Sequence, residues 1–225
     1  MRPLLLSALL LTLIHSASSQ TTIQPWLGAH VSTSDFGVGN VVKYTSTLSG
    51  GVQAGMALSP RWRVRAGLGF VQLGDRIDSG TLRFGSQWNG NTFDPTLPPG
   101  VSSLTTTNRA VFAAVPLDVE YTFASSEKWS LDGYLGVTGL YGLFETSRAR
   151  AEGRNQGSSR QRLDNVLQLG VQAGLTVSRR LTERIAVFVR PNYLKSLSFE
   201  AQRRPQFAAF GLHVGSSFVL GSDVK

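Results

Sequence analysis

Eight stretches of this chain place apolar residues at every second position. In "LQLGVQAGLTVS" (167–178), Leu167, Leu169, Val171, Ala173, Leu175 and Val177 alternate with Gln168, Gly170, Gln172, Gly174, Thr176 and Ser178. "AVFAAVPLDVEYTF" (110–123) sets Val111, Ala113, Val115, Leu117, Val119, Tyr121 and Phe123 against positions that include Pro116, Asp118 and Glu120. The same rhythm runs through 48–58, 62–71 and 129–142, and less purely through 185–193 and 207–220. "PWLGAHVSTS" (25–34) carries it most weakly. A period of two is the signature of a strand with one apolar face, since successive side chains point to opposite sides of the sheet.

The connections have a rhythm of their own. Residues 59–61, 124–128 and 179–184 are short links, whereas 35–47, 74–108, 144–165 and 195–206 are long and rich in Gly, Ser, Thr, Asn and Arg. Short and long links alternate down the chain, which is what an up-and-down antiparallel barrel with its tight turns at one end requires. Pro116 interrupts the best strand, and because proline has no ladder donor it predicts a bulge or a missing ladder bond there.

The polar face decides what surrounds the barrel. It is mostly Gly, Ser, Thr and Gln, with few lysines, so it suits the crowded inside of an eight-stranded barrel better than water. Aromatic residues on the apolar face, Trp62, Tyr121, Phe123, Trp129 and Phe218, fall near the short-turn ends, where an interfacial girdle belongs. Trp26 is the exception, because its parity groups it with His30 on the polar face. Strands of roughly 9–11 residues or more match a tilted membrane crossing. The expected fold is therefore all-β: an eight-stranded antiparallel up-and-down transmembrane barrel.

Composition narrows the setting. Residues 1–19 read as a signal peptide, with Arg2, an apolar run from Leu4 to Ile14 and the small residues Ala17-Ser18-Ser19 before Gln20. That leaves 20–225 as one barrel domain. The apolar run is too short to span a bilayer comfortably. There is no cysteine, which excludes disulfides and thiolate metal sites. The net charge of +8 suits an anionic membrane surface, and no nucleic-acid-binding signature accompanies it.

With these strands in place, the chain resembles the PorT-like, porin-family group of outer membrane β-barrel proteins. The resemblance extends over 20–225 and is most specific in residues 111–123, where "VPLDVEYTF" leads from an apolar-Pro-Leu pattern into aromatics. It implies the outer membrane of a Gram-negative cell, short periplasmic turns and long extracellular loops, and it carries over no catalytic residue. The tail departs from many such barrels by running past Phe218 to "VLGSDVK".

Three groups of residues are candidates for chemistry. The first is Asp118, Glu120 and Asp132 against Arg63 and Arg65, all on the polar face. A hairpin centred near Ser126 sets Glu120 opposite Asp132 and Thr122 opposite Ser130, while a turn at Pro60 sets Arg63 opposite Ala57 and Arg65 opposite Gly55. Buried charges must be paired, so the cluster reads as interior counter-charges, with acid–base catalysis as the competing reading. The second is His30 and His213, on the polar faces of the first and last strands, with Ser32 or Ser217 nearby. They read as interior hydrogen-bonding groups; a metal pair or a hydrolase is the sharper alternative. The third is the basic stretch "SRARAEGRNQGSSRQR" (147–162), whose Arg148, Arg150, Arg154, Arg160 and Arg162 suit lipopolysaccharide phosphates. "FGVGN" and "SGG" lack a phosphate-loop lysine and read as turns.

The expected function is a small non-enzymatic barrel with a plugged interior and a structural, adhesive or partner-binding role. Its expected partners are outer-membrane lipids, lipopolysaccharide phosphates and other envelope proteins, with no cofactor and no nucleic acid. A lipid-modifying hydrolase using His30 or His213 is one alternative, and a soluble calycin-like ligand carrier is another.

Overall fold

The computed structural model of the chain describes residues 21–34, 42–78, 104–151, 154–163, 166–197 and 206–220, with backbone alone at 104, 151 and 154–156. The signal-peptide reading of 1–19 and parts of the four long links fall outside these residues. Among the described residues there are ten strands: β1 (Thr21–Ser34), β2 (Val42–Lys43), β3 (Thr45–Ala57), β4 (Trp62–Asp78), β5 (Leu104–Ser125), β6 (Trp129–Ala151), β7 (Arg154–Arg162), β8 (Leu167–Arg180), β9 (Ile185–Leu197) and β10 (Phe207–Leu220). Eight of them make the wall in the order β4-β3-β1-β10-β9-β8-β6-β5, every pair is antiparallel, and β4 pairs β5 to close the ring. Closure leaves no edge along the wall, the condition for a sheet to cross a bilayer.

The apolar face points outward. Leu27, Leu68 and Leu167 are 66%, 70% and 74% exposed, and the alternate positions Gln53, Arg65, Asp118, Thr176 and Arg190 are buried. An apolar outside and a polar inside is the reverse of a soluble ligand-carrying barrel. The girdle at the short-turn end includes three contiguous rings on β4 and β5, with Trp62 and Tyr121 4.8 Å apart and Tyr121 and Phe123 5.3 Å apart.

Prolines leave a common mark on the wall. Opposite Pro116 the β4–β5 ladder breaks between Ala66↔Leu117 and Gly69↔Ala114, yet the register is the same on both sides. Pro25 sits in an equivalent gap between Ile23↔Phe218 and Trp26↔Gly215, and Pro191 in one between Gly174↔Asn192 and Val177↔Val189. Each proline is paired on its other flank, with Thr138, Val52 and Leu212 respectively. A missing N–H on one side accounts for this. No bulge forms at Pro116.

Two bulges lie elsewhere in the β5–β6 hairpin, between Thr122/Ala124 and Val111/Phe112. Phe123 is the extra residue of the first, and the turn lies at 126–129 with Ser125 facing Ser130; together they set Glu120 opposite Tyr134 and Thr122 opposite Asp132, two residues from the Glu120–Asp132 and Thr122–Ser130 pairs of an unbulged hairpin centred near Ser126. The second inserts Leu143 into β6, and from there up the odd residues of β6 face inward.

The stretch read as a basic loop is a hairpin. β6 rises to Ala151 and β7 returns beside it, from Ala151↔Arg154 to Phe144↔Arg162; β8 takes over as the partner of β6 from Tyr141↔Leu167. β7 and β8 thus descend as one stave, with Leu163 and Val166 between them. Together β4, β5, β6 and β7 rise above the rest of the wall as a ledge. Its β-branched run Thr105-Thr106-Thr107 favours strand without supplying the apolar alternation that would announce one.

Candidate functional site

The interior is filled in two layers. Toward the short-turn end lies a charged layer. Arg63 Nη1 donates to Glu120 Oε1 at 2.7 Å, and Arg65 Nη1 stands 2.5 Å from Glu120 Oε2 and Nη2 3.6 Å from Asp118 Oδ2. The N–H groups of Arg65 are not aimed along these vectors, so this is a close ion pair and not a set of directed hydrogen bonds. Gln53 and Gln172 donate to Asp118 at 2.9 and 2.5 Å. Gly55 is what makes room: a Cβ there would stand 3.3 Å from Arg65 Cγ and Arg63 Cδ.

Arg190 completes the layer and escapes the initial candidates. It donates to Gln53 Oε1 at 2.9 Å, Gln24 Oε1 at 3.1 Å and Thr176 Oγ1 at 3.1 Å. Its guanidinium and that of Arg65 lie over the Tyr134 ring, 5.4 and 5.0 Å from the centroid. The signal was present in the sequence as a single arginine among Val187, Val189 and Pro191 at the opposite parity. Asp132 behaves differently from Asp118 and Glu120. It accepts from Thr122 at 2.6 Å and Ser130 at 2.9 Å, and among the described residues no arginine or lysine forms an ion pair with it. The two-residue register shift in the β5–β6 hairpin, set by its turn at 126–129 together with the bulge at Phe123, is the reason.

His30 and His213 meet across the β1–β10 seam, with Nε2 atoms 2.9 Å apart, so one donates and the other accepts. Trp26 stacks on His213 at 4.2 Å, as its inward parity requires. Ser49, not Ser32 or Ser217, is the serine within reach, at 3.4 Å from His213 Nε2. Ser32 is bonded to the backbone of Gly74, and Ser217 accepts from Gln24. The cavity these residues share with Asp118 and Arg190 measures about 30 Å³, which is room for water and for no larger molecule. Among the described residues no three metal-ligating side chains converge.

Toward the long-loop end the interior turns apolar. Val71, Leu73, Ala110, Phe112, Ala114, Leu140, Val166, Leu194, Phe207 and Ala209 form one buried cluster, with Leu163 packed against it. Leu163 and Val166 come from the break between β7 and β8, and two backbone bonds hold that break: Gly142 N–H to Val166 O at 2.8 Å and Leu163 N–H to Leu143 O at 3.2 Å.

The outer face of the ledge is basic. Its lowest outward row reads Gln72, Val111, Phe144, Arg162; the next Gly74, Arg109, Thr146, Arg160; the next Arg76, Thr107, Arg148, Ser158; then Asp78, Thr105 and Arg150. Arg148, Arg150, Arg160 and Arg162 therefore share one face and are exposed. Arg154 lies in β7, but its side chain falls outside the described residues. Arg160 stacks on Phe144, 3.8 Å from the ring centroid. At the rim, Lys43 pairs with Asp78 at 2.8 Å and Arg76 with the same carboxylate at 2.9 Å.

Among solved structures the chain is similar to Neisserial surface protein A, at 12% identity over 89% of this chain and 97% of that one with a TM-score of 0.48. It is also similar to Ail, the attachment invasion locus protein of Yersinia pestis, at 12% identity over 90% and 100% with a TM-score of 0.44. A third is the outer membrane protease OmpT of Escherichia coli, at 7% identity over 90% and 97% with a TM-score of 0.43. No curated protein sequence matches it. The family model for the outer membrane protein beta-barrel domain matches residues 4–218. The chain belongs to that family, and its place is the outer membrane.

Proposed function

We propose that this protein is a sealed, non-enzymatic barrel of the PorT-like, porin-family group, exported by cleavage before Gln20 and serving a structural, adhesive or partner-binding role. The long-loop end and its ledge face the cell exterior, and the partners are outer-membrane lipids, their phosphates and other envelope proteins. The observation that carries this reading is the filling of the interior. A charged layer and an apolar layer lie in series, so a permeating ion would have to cross both. The cavity beside His30 and His213 admits no substrate larger than water, and each histidine already uses Nε2 on the other.

The test is electrical. Refolded protein inserted into planar bilayers shows no steady single-channel conductance, and replacing His30 and His213 together leaves the lipid A and phospholipid profile of the cell unchanged. A stable open channel, or an altered lipid profile in the double variant, overturns the reading.

A further inference from the structure

We propose that the outer face of the ledge is a binding site for the phosphate monoesters of an outer-leaflet glycolipid, centred on Thr146. This rests on the reading that the long-loop end faces outward.

The register places the residues. Arg109 and Arg160 flank Thr146 on the neighbouring strands, and Arg148 stands two residues above it on the same strand. Adjacent strands are about 4.8 Å apart and two residues span about 6.8 Å along a strand. Three guanidinium groups on side chains of that length can reach one point over the Thr146 hydroxyl, while Thr107 and Ser158 add hydroxyl donors in the row above. Arg162, Arg76, Arg150 and Lys43 surround this group. Seven cations on the described face stand against one carboxylate, Asp78, which Lys43 and Arg76 already occupy.

Two further observations point to an anion. The Arg160 guanidinium carbon stands 3.8 Å from the Phe144 ring centroid, which holds the cation at this site. Arg109 Nε is covered and has no hydrogen-bond acceptor among the described residues. Height selects a membrane ligand over a soluble one. Phe144 and Val111 lie in the row beneath, and below them the wall is lipid-facing apolar surface through Tyr141, Ala113 and Val115. The arginines therefore begin one row above the acyl region, at headgroup level. A monoester offers up to two charges and three acceptor oxygens to converging arginine forks, and a phosphodiester offers one charge.

The test uses full-length mature protein refolded in detergent. The probes are a fluorescent bis-phosphorylated lipid A, its dephosphorylated form, phosphatidylglycerol and inorganic phosphate. Bis-phosphorylated lipid A binds at 1:1 and weakens with salt; the dephosphorylated form and phosphatidylglycerol bind about tenfold more weakly or worse, since one charged hydrogen bond is worth roughly that factor. The triple variant R109Q/R148Q/R160Q loses about tenfold or more, keeps the wild-type difference between boiled and unboiled electrophoretic mobility, and a control R179Q/R180Q at the short-turn end binds like wild type. Equal binding by the triple variant, or by dephosphorylated lipid A, overturns the proposal. So does competition by inorganic phosphate at equal concentration, which would mark a soluble phosphate site. Orientation is read separately: the chain has no cysteine, so S159C labelled in intact cells by a membrane-impermeant maleimide supports the outward ledge, and labelling only after lysis overturns that reading without touching the binding result.

Discussion

Arg65 is the residue on which the interior charges turn. Its side chain is fully buried between Asp118 and Glu120. Removing one member of a buried ion pair leaves its partner uncompensated, at about 3–5 kcal/mol. Arg65→Met is therefore expected to destabilise the barrel by about that amount in urea titrations of vesicle-inserted protein. Arg65→Met with Glu120→Gln is expected to recover part of the loss, because fewer charges are then stranded. A single variant as stable as wild type would show that the cluster is not held together by this pair. Part of the arrangement was readable beforehand: opposite-sign residues at inward parity on neighbouring strands could be assigned to one layer. Asp132 was not separable from the other acids, since the turn at 126–129 and the extra residue at Phe123 together move it from Glu120 to Thr122 and away from the arginines.

At the scale of elements, the break at 163–166 is the most informative. Gly142 faces it, and a Cβ at that position would stand 2.8 Å from Val166 Cβ and 3.0 Å from Leu163 Cβ. Gly142→Val is expected to unseat Leu163 and Val166 from the apolar layer, at about 1–3 kcal/mol. The readouts are a lower melting temperature and faster proteolysis near 163. Unchanged protease resistance would argue that the break is held by something other than this contact.

The short strand β2 depends on the rim carboxylate. The hydrogen bond from Lys43 is the main cause holding the Asp78 carboxyl down to about 2 from its usual 3.8, against a smaller opposing effect of burial. A carboxyl depressed in the folded state stabilises above its unfolded value and loses that contribution as pH falls through the folded one. The β2–β4 contact is therefore expected to hold at neutral pH and weaken between about pH 4 and pH 2. Amide exchange of Val42 and Lys43 measures it, and an exchange rate flat across that window, after correction for intrinsic chemistry, would rule the link out.

For the whole molecule, the proposed seal would be a property of layers and not of any single residue. Apolar side chains from β4, β5, β6, β9 and β10 meet Leu163 and Val166, so truncating one of them leaves the others in place. The conductance prediction accordingly has a counterpart: Phe112→Ala with Phe207→Ala, which are in ring contact at 6.4 Å, is the double variant in which brief openings are expected in bilayer recordings that show none for wild type. Continued silence in the double variant would assign the seal to the charged layer.

The alternation of residues along the strands determined the fold class, the apolar outside and the inward parity of His30, His213 and the charged residues, because a period of two admits only two faces and the medium chooses between them. It determined the strict succession of short and long links, and hence a single barrel. Tertiary structure decided what depends on neighbours in space. The turn at 126–129 and the bulges at Phe123 and Leu143 set which residues meet across the β5–β6 hairpin, and no local pattern encodes them. The ledge was hidden for a related reason: above the membrane both faces of a strand meet water, so its residues are polar throughout and carry no alternation. Only the pairing of β6 with β7 shows that arginines scattered over 147–162 stand on one face.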